Sequence, residues 1–409
     1  MTSLTSRTLN IIVVVAALGY FVDIYDLTLF LIVRRDSLLA IGITGDNLLT
    51  QGIYLLNMQV LGMVIGGIIW GILGDKKGRL SVLFFTIFLY SVANIANAYV
   101  HNITQYAIIR FIAGLGLAGE LGVGITLVSE VMTTKKRGIG TSIVGAIGIS
   151  GAVLGYTVAS GFNWQVAYLV GGGLGLVLLA LRFFVFESGM FEKIKSQTVS
   201  RGNFFSLFTN KKYFLKYIYC ILLGIPVWYI IGILVNYSTE FAQKELHIAG
   251  EIISAKAVMY HYIGASIGSL LWSLTGQWLH SRKKSLWLAM AVLVVFTAAF
   301  FSSFGLSPFL FYGIIFFLGI AQGYWIIVIT VASEQFGTNL RATVTTTVPN
   351  FVRGSTIPVA FLFQFLAKNQ GMGIWQGALI TGVLCIGLAL FALYKLDETY
   401  SKDLDYIES

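Results

Sequence analysis

Long apolar runs alternate with short polar connectors along all 409 residues. The runs lie near 9–33, 51–73, 81–100, 103–131, 139–161, 164–186, 213–239, 255–279, 285–304, 307–332, 342–367 and 373–394. Each is close to or above the ~20 helical residues that cross a bilayer core. None alternates with period two, and a membrane barrel would show strands of about ten residues. The pattern predicts an all-α membrane protein of about twelve transmembrane helices. The connector Gly71–Leu80 is read as a ten-residue polar loop in which two glycines relax the backbone where the chain reverses.

The connectors repeat. A shift of about 205 residues aligns Gly71-x-Leu73-x-Asp75-Lys-Lys with Gly276-x-Trp278-Leu279-His280-Ser-Arg282-Lys283. It aligns Ser129-Glu130 and Arg137 with Ser333-Glu334 and Arg341, and Phe186-Glu187-Ser188 with Asp397-Glu398-Thr399. A duplicated six-helix unit implies two pseudo-symmetric bundles facing each other across a cavity, related by an axis along the membrane normal. The expected division is an N-terminal bundle at 1–186, a linker at 187–212, a C-terminal bundle at 213–396 and a tail at 397–409. Phe204, Phe205, Leu207 and Phe208 suggest a short amphipathic helix within the linker.

Composition agrees. Only 11% of residues are charged, against about 25% in soluble domains. The net charge of +9 does not point to nucleic acid, because the cations fall on alternate connectors. One set holds Lys76, Lys77 and Arg79; Lys135, Lys136 and Arg137; Lys193, Lys195, Arg201, Lys211 and Lys212; Arg282, Lys283 and Lys284; and Arg341. That one-sided excess predicts that these connectors and both termini are cytoplasmic, in a plasma (bacterial inner) membrane. The first run is too long for a cleavable signal and is expected to stay. Cys220 and Cys385 sit inside apolar runs and read as small packing residues. No metal-spaced His or Cys set, nucleotide loop or nucleophile arrangement is present, so no enzyme activity, metal or cofactor is expected. The expected partners are a small molecule, protons and the bilayer, with the chain as a monomer.

Ionisable residues inside a membrane are costly and mark function. The first helix carries Asp23 and Asp26, three apart on one face. The fourth carries Arg110 and Glu120 among closely spaced glycines, and the eleventh carries Arg353 between Pro349 and Pro358. At the 205-residue offset the acids meet Trp228, Ile231 and Tyr324, so they belong to the first half alone. Asp23, Asp26 and Glu120 are expected to couple protons, since neighbouring buried carboxylates can take up a proton near neutral pH. Arg353 is expected to bind an anion, because its fork matches a carboxylate or phosphate. Arg110, Tyr25, Gln322, Tyr324, Trp228 and His261 are further substrate-binding candidates. Asp75, Arg79, Glu130, Arg137, Glu187, Glu334 and Arg341 are expected to gate the cavity through pairs that form when the cytoplasmic side closes.

The register of Gly71, Leu73, Asp75, Gly78 and Arg79 is similar to the loop between the second and third helices of the major facilitator superfamily. With Asp23-x-Tyr25-Asp26 and Arg110-Phe-x-x-Gly114-x-Gly116-x-x-Gly119-Glu120, the chain resembles the metabolite:proton symporter group of that superfamily. The resemblance spans the whole chain. It implies the major facilitator fold and proton-coupled uptake of a small organic anion or metabolite by alternating access. The group's substrates are mostly carboxylates, with some zwitterions and sialic acid. Glu187-Ser188 and Asp397-Glu398-Thr399 are more loosely similar to the sugar porter branch. The chain departs from the pattern at His280, which stands where the first half has Asp75, and at Glu187, which follows Phe186 without a neighbouring Pro. A proton-driven exporter of a drug or metabolite is the alternative, disfavoured because Gly145–Gly155 lacks the Pro of an antiport motif. A non-transporting membrane sensor is the minor alternative.

Overall fold

A computed structural model describes residues 6–44, 47–132, 134–182 and 202–407, with no strand among them. Its long helices make twelve crossings, numbered α1 to α12. In the first bundle α1 is Ser6–Ala40, α2 Asn47–Lys77 and α3 Arg79–Asn97. The crossing α4 has two pieces, Ile103–Leu117 and Glu120–Val131, as does α5, Thr134–Ile149 and Gly151–Gly161; α6 is Trp164–Leu181. In the second bundle α7 is Lys211–Tyr229, continuing through a wider turn at Ile230–Val235. Then come α8 at Ser254–Trp278, α9 at Arg282–Phe301, α10 as Pro308–Gln322 and Trp325–Gln335, α11 as Arg341–Gly354 and Thr356–Gln364, and α12 at Gly373–Lys395.

Side-chain caps set several helix starts. Asn102 accepts the Gln105 N–H at 2.9 Å, Asn163 the Val166 N–H at 2.9 Å and Ser281 the Lys284 N–H at 3.0 Å. Each oxygen replaces a carbonyl that the first turn lacks. The mid-crossing breaks follow the repeat: Ala118 and Gly323 are 205 residues apart, and so are Ser150 and Ser355. Duplication therefore reaches the local backbone as well as the connectors.

Ten crossings are long and apolar enough to span a membrane by composition, and α8 and α11 fall outside that set. Both carry polar side chains into the interior. His261, Ser269 and Ser273 are buried on α8, and Thr343, Thr345, Thr346, Thr347, Asn350 and Arg353 on α11. Such residues are tolerated where they face the bundle interior instead of lipid.

The polar loop Gly71–Leu80 needs correction. The helix α2 continues through Asp75 to Lys77, α3 starts at Arg79, and Gly78 alone leaves the helix, at φ 108°. That backbone suits a residue without Cβ. Lys76 and Lys77 occupy the last turn of α2, where cations favour the helix dipole, so the polar residues extend the helix. The linker helix is also shorter than expected: one turn, Ser206–Thr209, with Leu207 buried and Phe204 stacked on Phe351. Glu187 and linker residues 187–201 lie outside the described residues.

The bundles meet through α2 against α11, α5 against α8, and the inner pieces of α4 and α10. At Gly122 on α4 a Cβ would run into the backbone of Thr345 and Thr346 on α11. This close approach seals the face of the molecule where α2, α4 and α10 end and α5 and α11 begin, the gate face, so termed because it holds the gating candidates Asp75, Glu130, Arg137, Glu334 and Arg341.

Candidate functional site

A cavity of about 30 Å³ lies between the bundles at the breaks of the helices, walled by Tyr20, Trp228, Tyr262, Gln322, Trp325 and Arg353 among others. Arg353 reaches out of the second bundle to the first. Its Nη2 donates to Asp23 Oδ2 at 3.2 Å, and its Nη1 donates to Asn350 Oδ1 at 3.2 Å. Both partners of the ion pair are buried. Asp23 Oδ1 has no hydrogen-bond partner among the described residues. A buried pair with unfilled positions recovers its desolvation cost poorly.

Behind the cavity wall the first bundle holds a second buried ion pair, Glu120 on α4 with Arg182 at the end of α6. Arg182 was not among the residues expected from sequence. It closes an apolar run and reads there as a flanking cation. A Cβ at Gly19 of α1 would overlap this pair, so α1 can pass only because that residue is glycine. Asp26 is buried, and neither of its carboxyl oxygens has a hydrogen-bond partner among the described residues.

The structure divides the expected substrate residues. Trp228, Gln322 and Arg353 line the cavity. Tyr25 donates its hydroxyl to the Ala167 carbonyl at 2.8 Å, inside the first bundle. Arg110 donates to the Gln59 side chain, with its guanidinium 4.3 Å from the centre of the Phe30 ring. Tyr324 donates to the Leu223 carbonyl at 3.1 Å. These three are not part of the cavity wall; their contacts run to neighbouring helices, where a buried hydroxyl or guanidinium meets a carbonyl, amide or ring. His261 is fully buried on α8, away from the cavity wall.

At the gate face the two halves exchange partners. Arg341 pairs with Glu130 of the first bundle at 3.0 Å, and Arg137 pairs with Glu334 of the second at 3.5 Å. Each arginine also donates to a carbonyl of its own half eight residues back, Arg137 to Ser129 at 3.0 Å and Arg341 to Ser333 at 3.1 Å. Asp75 spans the halves too. It accepts the Ala342 N–H at 3.0 Å, the Thr343 N–H at 2.8 Å and the Thr343 hydroxyl at 2.6 Å, capping the start of α11. The side chain of Arg79 lies outside the described residues.

Among the described residues His280 makes no such bridge. Its backbone has φ 50°, and its ring lies against Tyr400. The nearby start of α9 is instead capped from its own half by Glu398, which accepts from the Arg282 N–H at 2.9 Å, the Lys283 N–H at 3.2 Å and the Ser281 hydroxyl. Partial burial pushes the Glu398 carboxyl up, but the Ser281 hydroxyl and the N–H groups of Tyr400, Lys283 and Arg282 outweigh it and hold the group below its ordinary range.

The family model of the Major Facilitator Superfamily matches residues 9–360. The chain is 28% identical over 187 residues to the putative niacin/nicotinamide transporter NiaP of Bacillus subtilis, covering 45% of this chain and 46% of that one. It is 32% identical over 133 residues to the 4-hydroxybenzoate transporter PcaK of Pseudomonas aeruginosa, covering 32% and 30%. The matched stretches thus span under half the length of either relative. Among solved structures, the proton:xylose symporter XylE bound to 6-bromo-6-deoxy-D-glucose superposes with a TM-score of 0.74 at 16% identity, over 98% of each chain.

Proposed function

The chain belongs to the Major Facilitator Superfamily, and on that premise we propose that it takes up a small organic anion together with a proton, by alternating access. One observation carries this function: the only cation on the described cavity wall, Arg353, is held by a carboxylate of the opposite bundle, Asp23. A proton on Asp23 removes the charge that holds the guanidinium. Arg353 cannot lose its own charge and turns its fork to the substrate carboxylate. Proton and anion then favour each other's binding by the same factor. Glu120 with Arg182, and Asp26, which has no hydrogen-bond partner among the described residues, give the proton further stations inside the first bundle.

The wall also suggests the cargo. Tyr20, Trp228, Tyr262 and Trp325 offer flat apolar faces, and Gln322 offers one hydrogen-bonding group. That lining suits an aromatic or heteroaromatic monocarboxylate, the chemistry named for the niacin and 4-hydroxybenzoate relatives. The gate face carries the cationic connectors and is proposed to be cytoplasmic. The form described here is then sealed toward the cell interior.

Proteoliposome uptake driven by a pH gradient, paired with equilibrium binding of benzoate and nicotinate, tests this function. Asp23→Asn is expected to abolish gradient-driven accumulation, while binding persists and loses its pH dependence. Arg353→Ala is expected to weaken binding by about tenfold or more, the scale of one hydrogen bond to a charged group. Full pH-driven accumulation by Asp23→Asn, or an unchanged dissociation constant in Arg353→Ala, would sink the proposal.

A further inference from the structure

The chain beyond α12 does not hang free. After Lys395 it turns back beneath the second bundle and runs into the gate. The Gln335 side chain donates to the Asp397 carbonyl at 3.0 Å, and the Thr399 hydroxyl donates to Glu334 Oε2 at 2.7 Å. The Lys402 carbonyl then accepts from Arg137 Nη1 at 3.3 Å, and the Leu404 carbonyl accepts from Arg341 Nη2 at 2.7 Å. The Leu404 carbonyl also accepts from the Thr338 hydroxyl at 3.1 Å, the Tyr406 carbonyl takes the Thr338 N–H at 2.9 Å, and the Leu404 side chain has no exposed surface.

This placement is specific. Arg137 and Arg341 are counterparts in the two halves, and they share three kinds of partner: a carbonyl of its own half, a glutamate of the other half, and a carbonyl of the tail; Arg341 donates to the Thr338 hydroxyl as well. The tail serves both arginines with carbonyls two residues apart, 402 and 404. A single asymmetric segment thus joins two symmetry-related gate residues, one from each bundle. Hydrogen bonds from a guanidinium are among the stronger ones, and a buried leucine adds the usual apolar contribution. If the bundles part at the gate face, Arg137 of the first bundle must leave the Lys402 carbonyl, whereas the Thr338 and Arg341 contacts of the Leu404 carbonyl stay within the second half and hold the tail where it receives Arg137.

We propose that residues 397–407 form a built-in clamp that stabilises the closed gate, so that docking of the tail and opening of the gate exclude each other. A binder of this segment that draws Leu404 out would release the gate and speed opening on that side. The clamp is separate from the proton and substrate chemistry, since no tail residue lines the cavity.

Thr126 lies at the closed interface, buried and hydrogen-bonded to Thr345 of the opposite bundle. A single cysteine placed there by Thr126→Cys, with Cys220 and Cys385 replaced by alanine, reports opening through its rate of maleimide labelling. That rate follows the open fraction even when the open form is a minor one. Truncation after Tyr400 and Leu404→Asp are each expected to raise the rate by about tenfold, the scale of losing one buried leucine. Leu404→Ala is expected to raise it less, and it carries the test should the harsher changes prevent folding. A synthetic peptide of residues 397–409 is expected to slow labelling of the truncated protein again. Unchanged rates in Leu404→Ala and in whichever harsher variant folds would overturn the clamp.

Discussion

Asp75 offers the sharpest quantitative test of the gate. It is buried, and its two carboxylate oxygens take two backbone N–H groups and one hydroxyl at the start of α11. Asparagine keeps the shape and one acceptor. Its amide group, however, must face a backbone donor, so one N–H loses its partner. A lost hydrogen bond to a charged group is worth about 1.5–3 kcal/mol. Removing the negative charge from a helix start adds about 0.3–1 kcal/mol. These contacts exist only while the bundles are closed at this face, so the loss falls on the closed state alone. The sum, about 2–4 kcal/mol, shifts the open-to-closed ratio by about 30- to 1000-fold. Spin labels at Ile139→Cys on α5 and Lys284→Cys on α9, both exposed near the gate, would report the shift as growth of a longer distance population. Asp75→Glu, which keeps the charge, should move the population less. An Asp75→Asn distribution that matches the parent in both lipid and detergent would refute this account and reduce Asp75 to a local helix residue.

Two further outcomes follow from contacts at the same face. Gly122→Val should prevent closure, because its side chain would meet the α11 backbone at Thr345 and Thr346; the Ile139–Lys284 label pair should show the open distance, and a closed distance in a folded variant would contradict this. Glu398 gives a pH dependence of known sign: its carboxyl is held down in the folded protein, so its contribution is present above the unfolded carboxyl's value, about 4.3, and is lost as pH falls through the lower folded value. Glu398→Gln should therefore lower the Tm slightly at pH 7, the group being half exposed, and the parent and variant Tm curves should converge below about pH 4; a gap that widens in acid would reverse the assignment.

The sequence made crossings, repeat and buried charges legible, because each follows from local composition or from the high cost of an ion in lipid. Even the helix breaks obey the 205-residue offset seen in the connectors. Partners were harder to read. Nothing near Asp23 announces Arg353, 330 positions away on the other bundle. The matched spacing from Glu130 to Arg137 and from Glu334 to Arg341 marks these four residues as a set but does not say which pairs with which; in the folded chain the pseudo-twofold brings each arginine to the opposite glutamate. Arg182 was hidden by its position at the end of an apolar run, where a cation ordinarily marks the membrane surface. Gly71–Leu80 misled in the other direction: its polarity suggested a loop, but lysines in a last turn prolong a helix.

The buried Asp23–Arg353 pair has an electrical consequence. With Glu120 and Arg182, and with Asp26 and Arg110, it makes three buried carboxylates against three buried guanidinium groups away from the gate face, a formal sum of zero. A membrane potential does about 2.3 kcal/mol of work per 100 mV on each elementary charge carried across, and it has no net charge to act on in this set. One proton arriving with one monovalent anion leaves the sum at zero. In that stoichiometry the carrier would turn over on the chemical gradient of protons alone, indifferent to the voltage across the membrane in which it sits.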